Sequence, residues 1–169
     1  MTHNRICLRA MLAITAALAA GCYESASPLD PVPQVDVDAR LLGTWRCVSG
    51  GLSDEAITVT VERSGARSYA VAAKERDQEP DRYDGYATSL NGTMVMNLRN
   101  LKGGAKPWSF LKVDVLQPKA LFVQYVSDTL LKGVASTPAA ARTAIARERL
   151  NPALYEDLCV CIRVTDDKK

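Results

Sequence analysis

The chain has 169 residues, 47% of them hydrophobic, with 21 Lys and Arg against 19 Asp and Glu, which is enough apolar chain for one domain with a real core. Its nearly balanced, interspersed charge offers no electrostatic footing for nucleic acid or for an anionic surface. The single histidine is His3, so beyond the extreme N-terminus Ser-His-Asp and Cys-His catalysis, His-ligated zinc and a histidine pH switch are excluded.

Residues 1–21 have the parts of an export signal, with Arg5 and Arg9 ahead of an uncharged Ala- and Leu-rich run from Ala10 to Ala20. That run spans roughly 16 Å as a helix, too short for a hydrocarbon core of about 30 Å. It ends in Leu18-Ala19-Ala20-Gly21-Cys22, which resembles the lipobox of bacterial lipoproteins. The resemblance implies cleavage after residue 21, lipidation of Cys22 on its sulfur and freed amine, and attachment to a membrane. Tyr23 stands where such lipoproteins carry Asp when retained at the inner membrane, which implies an outer-membrane anchor facing the periplasm. Residues 22–38 contain Pro28, Pro31 and Pro33 and few large apolar side chains; this composition predicts an extended tether reaching roughly 50 Å.

From Leu41 onward, short alternating segments separated by turn residues predict an all-β sandwich or barrel. The expected strands are Leu41 to Val48, Ile57 to Val61, Ser68 to Ala73, Tyr83 to Leu90, Met94 to Leu98, Trp108 to Leu116, Ala120 to Ser127 and a short one at Thr129 to Val134. Ser64-Gly65 and above all Asn91-Gly92 read as hairpin turns, and Gly103-Gly104 as a break. The segments from Trp108 and Ala120 are partly apolar on both faces, so a second element should cover them. Thr137-Pro138 then reads as an N-cap with proline at the first helical position, opening a helix from Ala139 to Leu150. Asn151-Pro152 ends it, and Leu158 to Val164 forms a last strand, followed by a charged tail at 166–169.

This order, with Gly43-Thr44-Trp45 on the first strand, resembles the lipocalin and calycin-like group. The resemblance implies a mainly β domain over residues 39–165: an antiparallel meander of about eight or nine strands forming a barrel or half-barrel, with one C-terminal α-helix before the last strand. It also implies that the Trp45 indole lies across the closed end. Lys132 is the basic residue nearest to the position from which a lipocalin arginine stacks on that indole.

Cys47, Cys159 and Cys161 follow the lipidated Cys22, and export makes a disulfide chemically accessible. Cys47 could meet Cys159 or Cys161, but alternation argues against it: Cys159 and Cys161 share the face of Arg163, opposite Leu158, Val160 and Ile162, whereas Cys47 shares the face of Trp45. Free, buried thiols are therefore expected. Three cysteines lack the fourth ligand of a structural zinc site, and Asp77, Glu79 and Asp81 lack the Gly and Glu of a calcium loop, Arg82 and Thr88 standing there instead; no metal and no cofactor is expected.

These readings predict a non-catalytic, membrane-anchored envelope lipoprotein that binds an apolar small molecule or lipid, with Trp45, Val59, Tyr69, Met94, Met96 and Phe110 lining the ligand. The alternative is a protein-interaction module, either an envelope-assembly partner or an inhibitor of a cell-wall enzyme. No nucleic-acid partner is expected.

Overall fold

The computed structural model describes residues 23–49, 56–102, 107–133, 135 and 137–164. The leader, Cys22, the Gly103-Gly104 break and the tail at 166–169 lie outside the described residues. The strands are β1 (Glu24–Ser25), β2 (Gly43–Ser49), β3 (Ala56–Arg63), β4 (Tyr69–Lys74), β5 (Asp81–Leu90), β6 (Thr93–Asn100), β7 (Trp108–Gln117), β8 (Ala120–Val126) and β9 (Tyr155–Arg163). One helix, α1 (Pro138–Glu148), and a 3-10 turn at Pro152–Leu154 stand between β8 and β9.

Strands β2 to β8 pair antiparallel in chain order, and β9 enters between β8 and β2 to close the ring. The result is an eight-stranded, closed antiparallel barrel of lipocalin-like architecture, with β1 laid against the start of β7. Closure removes the unpaired edges that an open sheet would expose. The Asn91-Gly92 hairpin forms as the sequence predicts, with Asn91 at φ +50 and Gly92 at φ +87 between the paired Leu90 and Thr93.

Two apolar clusters result, one on each side of the barrel wall. Inside lie Trp45, Tyr69, Ala87, Met96, Leu121 and Val123, joined by Val37 and Leu41 from the N-terminal segment. Outside, Leu90, Val95, Phe110 and Val126 are covered by Ala141, Ala144 and Ile145 of α1, by Leu154 and by Leu29. This outer layer explains why β7 is apolar on both faces: Leu111, Val113 and Val115 belong to the inner cluster, whereas Phe110 belongs to the outer one. The helix starts as expected, with the Thr137 hydroxyl accepting from the Ala140 amide at 3.1 Å.

Two expectations are corrected. The described part of Thr129 to Val134 is a turn and no strand, because the amides of Leu131 and Lys132 both donate to the Asp128 carbonyl and Gly133 takes φ +77. Leu131 is thereby driven into the outer cluster, almost fully buried. The second correction concerns the tether, which from Tyr23 onward is built into the barrel wall. The Tyr23 amide donates to the Val126 carbonyl at 2.9 Å, its hydroxyl donates to the Ala135 carbonyl, and its ring stacks on Phe110. Leu29 is 3% exposed, and its amide donates to Asn97 Oδ1 at 2.9 Å. Proline-rich composition concealed this because the docking residues, Leu29, Val35 and Val37, are too sparse to form a periodic pattern; each fills a separate gap in a surface made by the strands.

Candidate functional site

One end of the barrel is sealed around Trp45, which is 1% exposed and donates from Nε1 to the Leu41 carbonyl at 2.9 Å. Over its ring lies the guanidinium of Arg163, with Cζ 4.2 Å from the ring centroid. The same guanidinium donates to the carbonyls of Leu42, Arg40 and Pro118, tying β9 to the segment ahead of β2. Gly43 completes the unit. Its φ is +122, a backbone conformation that favours glycine, and a Cβ there would lie 2.6 Å from Arg163 Nη1, so any other residue would make the guanidinium shift from its place. The stacking arginine therefore comes from β9, after the helix, and not from the region of Lys132; its signal in the sequence was its place on the inward face with Cys161. Tyr69 joins the seal by accepting the Asp38 amide proton on its hydroxyl at 2.7 Å.

Above the seal the lumen is apolar. Register runs Ile57 to Cys47 to Cys161 to Leu121 on one side and Ala87 to Met96 to Leu111 to Tyr125 on the other, all inward positions. Val59, Val71, Leu98, Leu111 and Val113 are only half-buried although their side chains point inward. They leave apolar surface partly uncovered on the inner face of the wall, beside inner residues such as Ala87, Met96 and Leu121 that are buried. Five of the six residues expected to line a ligand, Trp45, Val59, Tyr69, Met94 and Met96, belong to this inner cluster. Phe110 does not: it sits on the opposite face of β7, under α1.

The cysteines depart further from expectation. Cys47 and Cys161 are direct register partners in β2 and β9 and form a disulfide. Against the alternation expected from the sequence, Val160 and Ile162 of β9 face outward, 46% and 62% exposed, while Cys159, Cys161 and Arg163 face inward. Leu158 is the extra residue of a bulge, since Val123 pairs with Cys159 but Gln124 with Asp157, and it turns inward beside Cys159. The bridge joins residues 114 apart, a loop for which the chain-entropy model gives about 4–5 kcal/mol. Cys159 keeps a free thiol, its Sγ 3.5 Å from that of Cys161, and burial pushes it up to about 11 from an ordinary 9.0. The three sulfurs lie within 4.8 Å of one another on the lumen wall.

Outside the barrel, away from α1, the exposed residues Val48, Val160 and Ile162 form a continuous apolar strip across β2 and β9, with Phe122 beside Val160 on β8. Asp77 and Glu79 lie in the exposed loop between β4 and β5, and Asp81, the first residue of β5, pairs with Lys102 Nζ at 3.5 Å.

No protein-family model, no curated protein and no solved structure matches the chain.

Proposed function

We propose that this protein is a non-catalytic binding cup for an apolar small molecule or lipid, held in the bacterial envelope by a lipid on Cys22 and facing the periplasm from the outer membrane. The observation that carries the reading is the half-buried, inward-facing aliphatic wall of Val59, Val71, Leu98, Leu111 and Val113, since exposed apolar surface inside a concavity is stabilised by a ligand of matching character. The docked N-terminal segment adds to it: with Tyr23 bound to Val126, an anchor one residue earlier would hold the barrel close to the bilayer instead of on a long leash. The test is native mass spectrometry of protein purified from membranes, with metabolic palmitate labelling of wild type and Cys22→Ser. The expected outcome is a co-purifying apolar mass that Val113→Trp, which fills the lumen, removes, and label on the wild type alone. A bare chain that also ignores long-chain fatty acids added in excess would reject the cup.

The exposed strip of Val48, Val160 and Ile162 favours a second reading, a protein-interaction module of the envelope, because clustered exposed aliphatics mark contact surfaces. Crosslinking in cells separates the two: Val160→Lys would abolish a specific adduct under this reading and leave a lumenal ligand untouched.

A further inference from the structure

We propose that Cys47, Cys159 and Cys161, once reduced, form a three-thiolate site for one soft monovalent ion of the Cu(I) class, and that the Cys47–Cys161 disulfide is its closed state. The three Sγ atoms already converge within 4.8 Å of one another. Three sulfurs at about 2.3 Å from a central ion stand roughly 4 Å apart, so the site needs little more than separation of the bonded pair. Register holds them there: Cys47 faces Cys161 across β2 and β9, and Cys159 lies two residues along the same inward face. Among the described residues no fourth ligand joins the three sulfurs, as structural zinc and iron–sulfur clusters require, and three suffice for a three-coordinate soft ion. Around the sulfurs lie the apolar side chains of Ile57, Leu121, Val123 and Leu158, with Ser49 opposite Cys159 across β2 and β9, a set poorer in oxygen than a hard cation requires. Cys159 is half-buried and reaches the lumen, which gives the ion its way in.

The chemistry balances as two steps. A dithiol reductant supplies two electrons and two protons to the Cys47–Cys161 bond and leaves as its own disulfide; the ion then displaces up to three thiol protons to solvent. A disulfide oxidant that takes two electrons from Cys47 and Cys161, and two protons from solvent, to leave as its own dithiol re-forms the bridge, removes two of the three ligands and expels the ion. This inference stands apart from the apolar cup, since it concerns the lumen wall and not the lumen's contents.

The experiment is an anaerobic titration of the full mature chain with Cu(I) against a chromophoric Cu(I) chelator, before and after phosphine reduction. Expected are one ion per reduced chain, none per oxidised chain, and an X-ray absorption shell of three sulfurs. Cys159→Ser, which keeps the disulfide and the fold, should weaken binding by at least about a hundredfold. Equal affinity in wild type and Cys159→Ser, oxygen or nitrogen in the shell, or no uptake by reduced wild type that retains its circular dichroism would each overturn the proposal. Should reduction unfold the wild type, adding Cu(I) is expected to restore the spectrum, and failure to do so would overturn it as well.

Discussion

Arg163 and Gly43 together show how a short motif acquires its meaning. Gly43-Thr44-Trp45 can be found by reading along the chain, but the reason for its glycine lies 120 residues away, in the guanidinium that would meet a Cβ at 2.6 Å. The cation over the indole and the donors to the Leu42 and Arg40 carbonyls make one unit. Arg163→Ala should lower stability by about 2 kcal/mol, through the lost cation–π contact and charged hydrogen bonds. Gly43→Ala should cost about 1–3 kcal/mol from its φ alone and should also displace Arg163. Urea unfolding of both single variants and the double variant checks this: coupling at a shared contact predicts that the double costs clearly less than the sum, and strict additivity would refute it.

At the scale of elements, the N-terminal segment behaves as a strap. Asn97 is fully buried on β6; it accepts from the Leu29 amide and donates to the Tyr86 carbonyl and the Thr88 hydroxyl. The Tyr86 hydroxyl in turn donates to the Asp30 carbonyl, and Arg142 of α1 pairs with the Asp30 carboxylate at 2.8 Å. Asn97, Tyr86 and the Arg142–Asp30 pair thus tie strap, barrel wall and helix together. Asn97→Ala should cost about 1–3 kcal/mol by orphaning the Leu29 amide, and Leu29→Ala about 2–5 kcal/mol by opening a cavity beneath α1. Hydrogen exchange reads the outcome: amides of residues 23–30 and of α1 should lose protection together, ahead of those of β2 and β3. The strap could not be read from composition, because isolated apolar residues between prolines look the same whether they dock or dangle.

For the whole molecule, buried acids that are neutral when folded set the pH response. Burial pushes Cys159 up to about 11 and Tyr155 up to about 12, and raises Tyr69, Tyr83 and Tyr86 as well. Above pH 9 the unfolded chain therefore loses protons that the folded chain keeps, so stability is full below about pH 9 and falls as pH rises towards 11–12. Urea midpoints measured from pH 8 to pH 11 should fall steadily, and Cys159→Ser should flatten the first part of that fall. An unchanged profile in that variant would mean the thiol is not desolvated.

The alternation of β2 to β8, the Asn91-Gly92 hairpin and the Thr137-capped helix are local patterns, set by the pleat, by left-handed backbone and by capping, and they determined a mainly β meander with one helix before its last strand. Most of the lumenal wall followed from the same period of two, which is why Trp45, Val59, Tyr69, Met94 and Met96 fell on the inner cluster. Whatever depended on which face of a strand meets the interior was decided only by closure. Phe110 went under the helix, Val160 and Ile162 went outside, and Cys47 came to face Cys161. Hydrophobicity marks a strand's apolar face, but when both faces carry aliphatic or sulfur-bearing side chains, only the neighbour against which the strand pairs selects the one that is buried. In β9 that neighbour is β2, 114 residues earlier at the disulfide, and no local pattern carries information over that distance.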